Sequence, residues 1–383
     1  MVHTSQATMA EGTKRMMSIR PAAFCAFGLI FLATACSSSS PTPAPTPATV
    51  VEVTRTAVLP PLVPDAVSPA PAQPSPGCTA PTPAAFGTAQ QTITVGGAER
   101  TYRRYLPEGA VAGPRPLVID LHGLTSNIGQ EVAITAFEAL AAQEQFVVLT
   151  PQGAGTPSHW DLTNRDDNTD VAFIDAMLQE VEAASCVDAA RVYSTGISDG
   201  GIMSALLGCL RADRIAAVGL VSGIAHPDGC QPARPVPMMV FWGDKDVVLP
   251  FCGGLGPIVS ALIANKPLTA DGSTAVCPPA QFSGFPPVED VVAAWAATDG
   301  CDPAPRVLLV TAAIEQRVFG SCNQDAALRF YIIAGGGHTW PGSKLMQALS
   351  GTSIASVIGF TTGDVDATKL IWAFFRGYAL PPR

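Results

Sequence analysis

A serine framed by glycines, an aspartate and a histidine downstream could together carry out nucleophilic acyl substitution. The serine is Ser198, within Gly196-Ile197-Ser198-Asp199-Gly200-Gly201. A lone serine hydroxyl is a weak nucleophile and needs a base to take its proton. His338, in the run Gly335-Gly336-Gly337-His338-Thr339-Trp340-Pro341-Gly342, is the candidate base. Asp246, in Gly243-Asp244-Lys245-Asp246, is the candidate acid that would hold the imidazole in its working tautomer. Asp244 lies in the same loop and is the competing choice.

These residues are useful only if regular elements aim them at one place. Ala190 to Thr195 reads as a buried strand and Ile202 to Leu210 as a helix, which puts Ser198 on a sharp strand-to-helix turn. Pro237 to Trp242 is an apolar strand opening into the acid loop, and Arg329 to Ile333 is another opening into the histidine loop. Pro116 to Leu121 is a strand ending in His122-Gly123-Leu124. The backbone N–H groups of Leu124 and Asp199 are therefore expected to form the anion trap, with His122 organising the loop rather than serving as a second base. Trp340 and Trp160 are expected to wall the substrate cleft.

The remaining pattern alternates. Thr101 to Leu106 reads as an edge strand, Ile134 to Glu144 as a helix and Phe146 to Thr150 as a buried strand. Asp170 to Ala184 places Val171, Ile174, Met177, Leu178 and Val181 on one helical face. Ile215 to Val221 reads as a strand, and Val291 to Ala297 and Thr368 to Tyr378 as helices. Strands alternating with helices predict an α/β fold class with a mostly parallel central sheet covered on both faces. The chain order serine, acid, histidine is that of the α/β-hydrolase fold.

Four segments carry a family resemblance: Leu121-His122-Gly123, Thr195 to Gly201, Gly243 to Phe251, and Gly336-Gly337-His338-Thr339-Trp340-Pro341-Gly342. From about Thr88 to the C-terminus the chain resembles the secreted poly(3-hydroxybutyrate) depolymerase-like esterases, which are related to the feruloyl and acetylxylan esterases of carbohydrate esterase family 1. The resemblance implies a Ser198–His338–Asp246 triad, because the family's acid precedes a Val-Pro-Tyr-like sequence by the same spacing. It implies a serine esterase working through an acyl-enzyme without a cofactor. Short hydroxyalkanoate polyesters or oligomers lead as substrates, with feruloyl or acetyl esters on plant polysaccharide second. A non-catalytic envelope protein on the same fold and a serine peptidase are the other readings. Leu124 stands where the family often has Cys or Gly, and Phe251 where it often has an aromatic hydroxyl.

Composition agrees with one catalytic domain. Hydrophobic residues make up 48% of the 383 and charged residues only 14%, enough for a large core. The net charge of −9 argues against nucleic acid as a partner. No metal motif stands out. Residues 1–36 read as a signal peptide: Lys14, Arg15 and Arg20 precede a short apolar run from Pro21 to Ala35. Cys36 after Ala33-Thr34-Ala35 is expected to be a lipidation site that attaches the protein to membrane, with plain secretion as the alternative. Residues 37–77, rich in Pro, Ser and Thr, read as a disordered tether, and 78–383 as the catalytic domain.

Cysteine usage fits an extracytoplasmic protein. Leaving out Cys25 and Cys36, eight cysteines remain, and an even number in an exported chain suggests disulfides. Adjacency favours Cys78–Cys186, Cys209–Cys230, Cys252–Cys277 and Cys301–Cys322.

Overall fold

A computed structural model describes residues 70–82, 84–109, 113–256, 259–260 and 285–382. Ten strands form one sheet: β1 (Gly87–Val95), β2 (Ala98–Leu106), β3 (Arg115–Leu121), β4 (Val147–Pro151), β5 (Val187–Ile197), β6 (Ala217–Val221), β7 (Met238–Gly243), β8 (Arg306–Thr311), β9 (Ile314–Phe319) and β10 (Leu328–Ile333). Their order is β1-β2-β4-β3-β5-β6-β7-β10-β9-β8. The six strands from β4 to β10 in that order pair in parallel, and antiparallel strands flank them on both sides.

Helices cover both faces. They are α1 (Ile128–Thr135), α2 (Phe137–Glu144), α3 (Thr169–Ala184), α4 (Asp199–Leu210), α5 (Val288–Thr298), α6 (Lys344–Ala348), α7 (Ala355–Ile358) and α8 (Ala367–Phe375). The central strands are buried on both sides, so successive residues feed two separate cores. Leu117, Ile119 and Leu121 share one core with Met177 of α3, Leu206 of α4 and Trp295 of α5. Val118, Met239 and Phe241 pack on the opposite face with Phe137 of α2 and Ile371 and Phe374 of α8.

Local chemistry sets the helix starts. Asn168 caps α3 by accepting from the Asp170 and Val171 amides, Asn127 caps α1 from Gln130, and Asp366 caps α8 from Lys369. The helix expected over 134–144 is broken. Ala136 takes a left-handed conformation with φ +55°, so α1 ends there and α2 starts at a new angle. The sequence pattern does not predict the hairpin β8–β9.

Residues 1–69, and with them the expected leader, Cys36 and most of the expected tether, lie outside the described residues. Residues just before the expected domain start at 78 also bond to the sheet. Ser75 already donates to Val187 O from its amide and to Ser185 O from its hydroxyl, and Gln73 donates to Asp188. Cys78–Cys186, Cys209–Cys230 and Cys301–Cys322 are bridged as adjacency suggested. Cys252 is disulfide-bonded too, and its expected partner Cys277 lies outside the described residues. Among the described residues no helix is long and apolar enough to cross a membrane.

Candidate active site

Strand β5 delivers Ser198 at its carboxyl end, and α4 begins at the next residue. Ser198 sits at φ +57° and ψ −123°, a region that non-glycine residues rarely adopt. The strain is held by its amide bonding Val221 O at 2.9 Å and its carbonyl accepting from Ile202 at 3.0 Å. The flanking glycines are required by space. A Cβ on Gly196 would lie 2.4 Å from Leu121 O, and one on Gly200 only 1.9 Å from it. The end of β3 is thus pressed directly against the elbow.

Two parallel strands further along the sheet, β7 and β10 end side by side. Their loops are sewn together by Asp244 N to Ile333 O, Lys245 N to Gly336 O, and Gly335 N to the Asp244 carboxylate at 2.7 Å. Asp244 is therefore spent on joining the loops. Asp246 is 4% exposed and turns inward, where His338 Nδ1 lies 2.7 Å from its Oδ2. Its Oδ1 accepts from the Val248 and Leu249 amides, each at 2.8 Å. An ionised carboxylate can only accept, so Nδ1 carries the ring proton and Nε2 is left with a free lone pair. Backbone bonds from Gly337 to Phe360 O and from His338 to Ile358 O fix the histidine loop from its other side.

Ser198, Asp246 and His338 thus all lie at carboxyl ends of parallel strands of one sheet. No hydrogen bond joins Ser198 Oγ to His338 in this structure. Such contacts often tighten only with substrate in place.

The Leu124 and Asp199 amides donate to no protein acceptor among the described residues. Leu124 is the second residue of a turn closed by Ser126 N to Gly123 O at 3.1 Å. Asp199 opens α4, whose first N–H groups have no partner within the helix and favour negative charge. His122, fully buried, accepts a hydrogen bond from the Gly153 amide on Nε2 at 2.9 Å and so donates from Nδ1 to Gly123 O at 2.8 Å. Burial lowers its pKa, which suits a neutral organiser of the loop.

Neither tryptophan walls a cleft. Trp340 is fully buried, edge-on to Phe137 at 6.0 Å, with its indole N–H on Thr368 at 2.9 Å. The ring belongs to the core between the sheet and its helices. Trp160 is 3% exposed and packs on the His122 ring at 5.0 Å. Its indole N–H donates to His122 O at 2.8 Å, so it supports the 122–124 loop.

An apolar cavity of about 560 Å³ lies beside the acid loop. Ile202, Ile224, Trp242, Leu249 and Phe285 line it, with His226 at its edge. The signal in the sequence was proximity: Ile202 is four residues past Ser198 and Leu249 three past Asp246. Sequence reasoning also missed the Asp199 side chain, which accepts from Trp160 N at 2.8 Å. Among the described residues no cluster of three or more His, Cys, Asp or Glu could hold a metal ion.

The chain is similar in sequence to known esterases. A family model described as esterase PHB depolymerase matches residues 100–239. A putative esterase, NocK, from Nocardia uniformis subsp. tsuyamanensis is 30% identical over 67% of this chain and 74% of its own length. Feruloyl esterase C of Emericella nidulans is 33% identical over 46% of this chain and 67% of its own. The solved acetyl xylan esterase from Aspergillus awamori overlays 66% of this chain and 94% of its own at 16% identity and a TM-score of 0.46. On the family match and the extent of the likeness to the Nocardia esterase, the chain belongs to the PHB depolymerase-like serine esterases.

Proposed function

We propose that the chain hydrolyses carboxylic esters with Ser198 as nucleophile, His338 as general acid–base and Asp246 as the orienting acid. The observation that carries this reading is the buried Asp246–His338 bond, in the same sheet whose strand β5 ends in the strained Ser198. Ser198 Oγ attacks the ester carbonyl while its proton passes to His338 Nε2. The carbonyl oxygen gains the negative charge, which the Leu124 and Asp199 amides stabilise by donating hydrogen bonds to it. The intermediate collapses, the C–O bond to the alcohol breaks, and imidazolium gives its proton to the departing oxygen. Water then repeats the sequence on the acyl-enzyme and restores Ser198. A non-catalytic binding role would leave the strain at Ser198 without a purpose.

Short hydroxyalkanoate polyesters or their oligomers are the leading substrate class, in line with the family match. A second reading is a feruloyl ester of plant polysaccharide. Trp242 and Phe285 in the apolar cavity favour it, as does the likeness to a feruloyl esterase. An extracytoplasmic location, with Cys36 as a lipid anchor, is consistent with the disulfides among the described residues. The test is a panel of a hydroxybutyrate oligomer, a feruloyl ester, acetylated xylan and nitrophenyl esters. The leading class requires the oligomer to show the highest kcat/KM, and a tenfold advantage for the feruloyl ester would transfer the assignment to the second.

A further inference from the structure

We infer that the Asp199 side chain is a positioning residue that locks the two donors of the anion trap into one frame. The inference rests on Ser198 being the nucleophile and on Leu124 and Asp199 supplying the trap. One donor, the Asp199 amide, is fixed by the start of α4. The other, the Leu124 amide, belongs to a loop on a different strand end and needs its own restraint. The Asp199 carboxylate supplies the link. Its Oδ2 accepts from Trp160 N at 2.8 Å, and the Trp160 indole N–H donates to His122 O at 2.8 Å. The same 152–160 segment holds the trap loop twice more. Gly153 N bonds the His122 ring, and Thr125 N donates to Ser158 O at 2.7 Å. Leu124 therefore sits between Gly123, whose carbonyl is held by His122, and Thr125, whose amide is held by Ser158.

Energetics favour a functional link over a decorative one. Asp199 is partly buried beside Ser198, and burial pushes its carboxyl up to about 6, with Asp170 adding repulsion and His159 and the Trp160 amide opposing it. Above that pH the group is ionised, and a charge-assisted bond is stronger than a neutral one. Desolvating a carboxylate to hold one backbone amide costs stability that an apolar residue would not. The return is a fixed distance between two N–H groups that must meet one oxygen. That oxygen carries full charge only in the transition state, so a loosened trap should slow turnover while leaving ground-state binding nearly intact.

The experiment measures kcat and KM on a nitrophenyl ester for wild type, Asp199→Ala, Asp199→Asn and Trp160→Phe, with Ser198→Ala as reference. Asp199→Ala is expected to lower kcat by about 10²–10³ while changing KM little, as for loss of one oxyanion donor. Asp199→Asn keeps an acceptor for Trp160 N and should recover most of the activity. Trp160→Phe keeps the Asp199 contact but loses the bond to His122 O, and should lower kcat by about tenfold or more. An Asp199→Ala enzyme with at least half the wild-type kcat, or an Asn variant as slow as Ala, overturns the inference. Should Asp199→Ala not fold, an unchanged kcat in Trp160→Phe does the same. Activity remaining in Ser198→Ala would instead overturn the nucleophile assignment on which the inference stands.

Discussion

Asp246 and His338 stand 92 residues apart in the chain and meet at 2.7 Å in a nearly dry site. Neighbouring Asp244 instead accepts from the Gly335 amide at 2.7 Å. The two aspartates of one loop thus have separate tasks, one toward the imidazole and one toward the backbone of the adjoining loop. Asp246→Asn keeps the shape but removes the charge that favours imidazolium, and kcat on a nitrophenyl ester should fall by about 10⁴. Asp244→Asn should lose far less, about tenfold at most, by slackening the loop. Reversed magnitudes would move the acid to Asp244.

Two acids, Asp120 and Glu131, are buried together at the end of β3. Asp120, near the end of β3, accepts from the Thr135 hydroxyl at 2.6 Å and faces Glu131 of α1. Burial raises both carboxyl groups, Asp120 to about 7. The folded protein therefore keeps protons that the unfolded chain gives up near pH 4. The contribution of Asp120 is intact below the unfolded value, declines as pH rises toward 7 and levels off above it, and Glu131 acts with the same sign. Asp299, raised by burial to about 7, acts with the same sign. Urea unfolding at pH 5 and pH 8 should show wild type weaker at pH 8, and Asp120→Asn should flatten the difference by about 1–3 kcal/mol. An unchanged difference in the variant would mean the pair does not titrate in this range.

The Cys78–Cys186 bridge closes 108 residues and pins the first described segment to the start of β5. In the chain-entropy account a loop of this size contributes about 4.7 kcal/mol, against about 3 kcal/mol for a loop near 15 residues. Replacing both cysteines by serine should therefore lower Tm more than the same change at Cys209–Cys230, which closes 21. Scanning calorimetry of the two double variants decides it, and an equal or smaller loss for Cys78–Cys186 would contradict the ranking.

Much of the site could be read from sequence because its signals are local. The elbow glycines, the acid loop and the glycine run before His338 each follow an apolar strand, and β5, β7 and β10 end within a few residues of where the pattern ends. The misses depend on distant contacts. Trp340 looks available to the cleft by its spacing from His338, yet its ring is held in the core by Thr368 and Phe137, both distant in the chain. The break at Ala136 has no glycine or proline to announce it. Strand β8 is an exposed edge without clean alternation, with Val307 and Leu309 both open, so a period-two search passes over it. Asp199 was legible as an amide donor from its position after the serine, but its side-chain partner 39 residues away was not.

The central claim is that a covalent acyl-enzyme forms at Ser198. The direct measurement is mass spectrometry of the protein after treatment with a nitrophenyl phosphonate, a mimic of the tetrahedral intermediate. The account predicts one adduct per chain, on the peptide containing Ser198, together with loss of esterase activity. It also predicts no adduct in Ser198→Ala, whose kcat should be lower by about 10⁶. An adduct on another residue, or a Ser198→Ala protein that still turns over ester at a sizeable fraction of the wild-type rate, would contradict it.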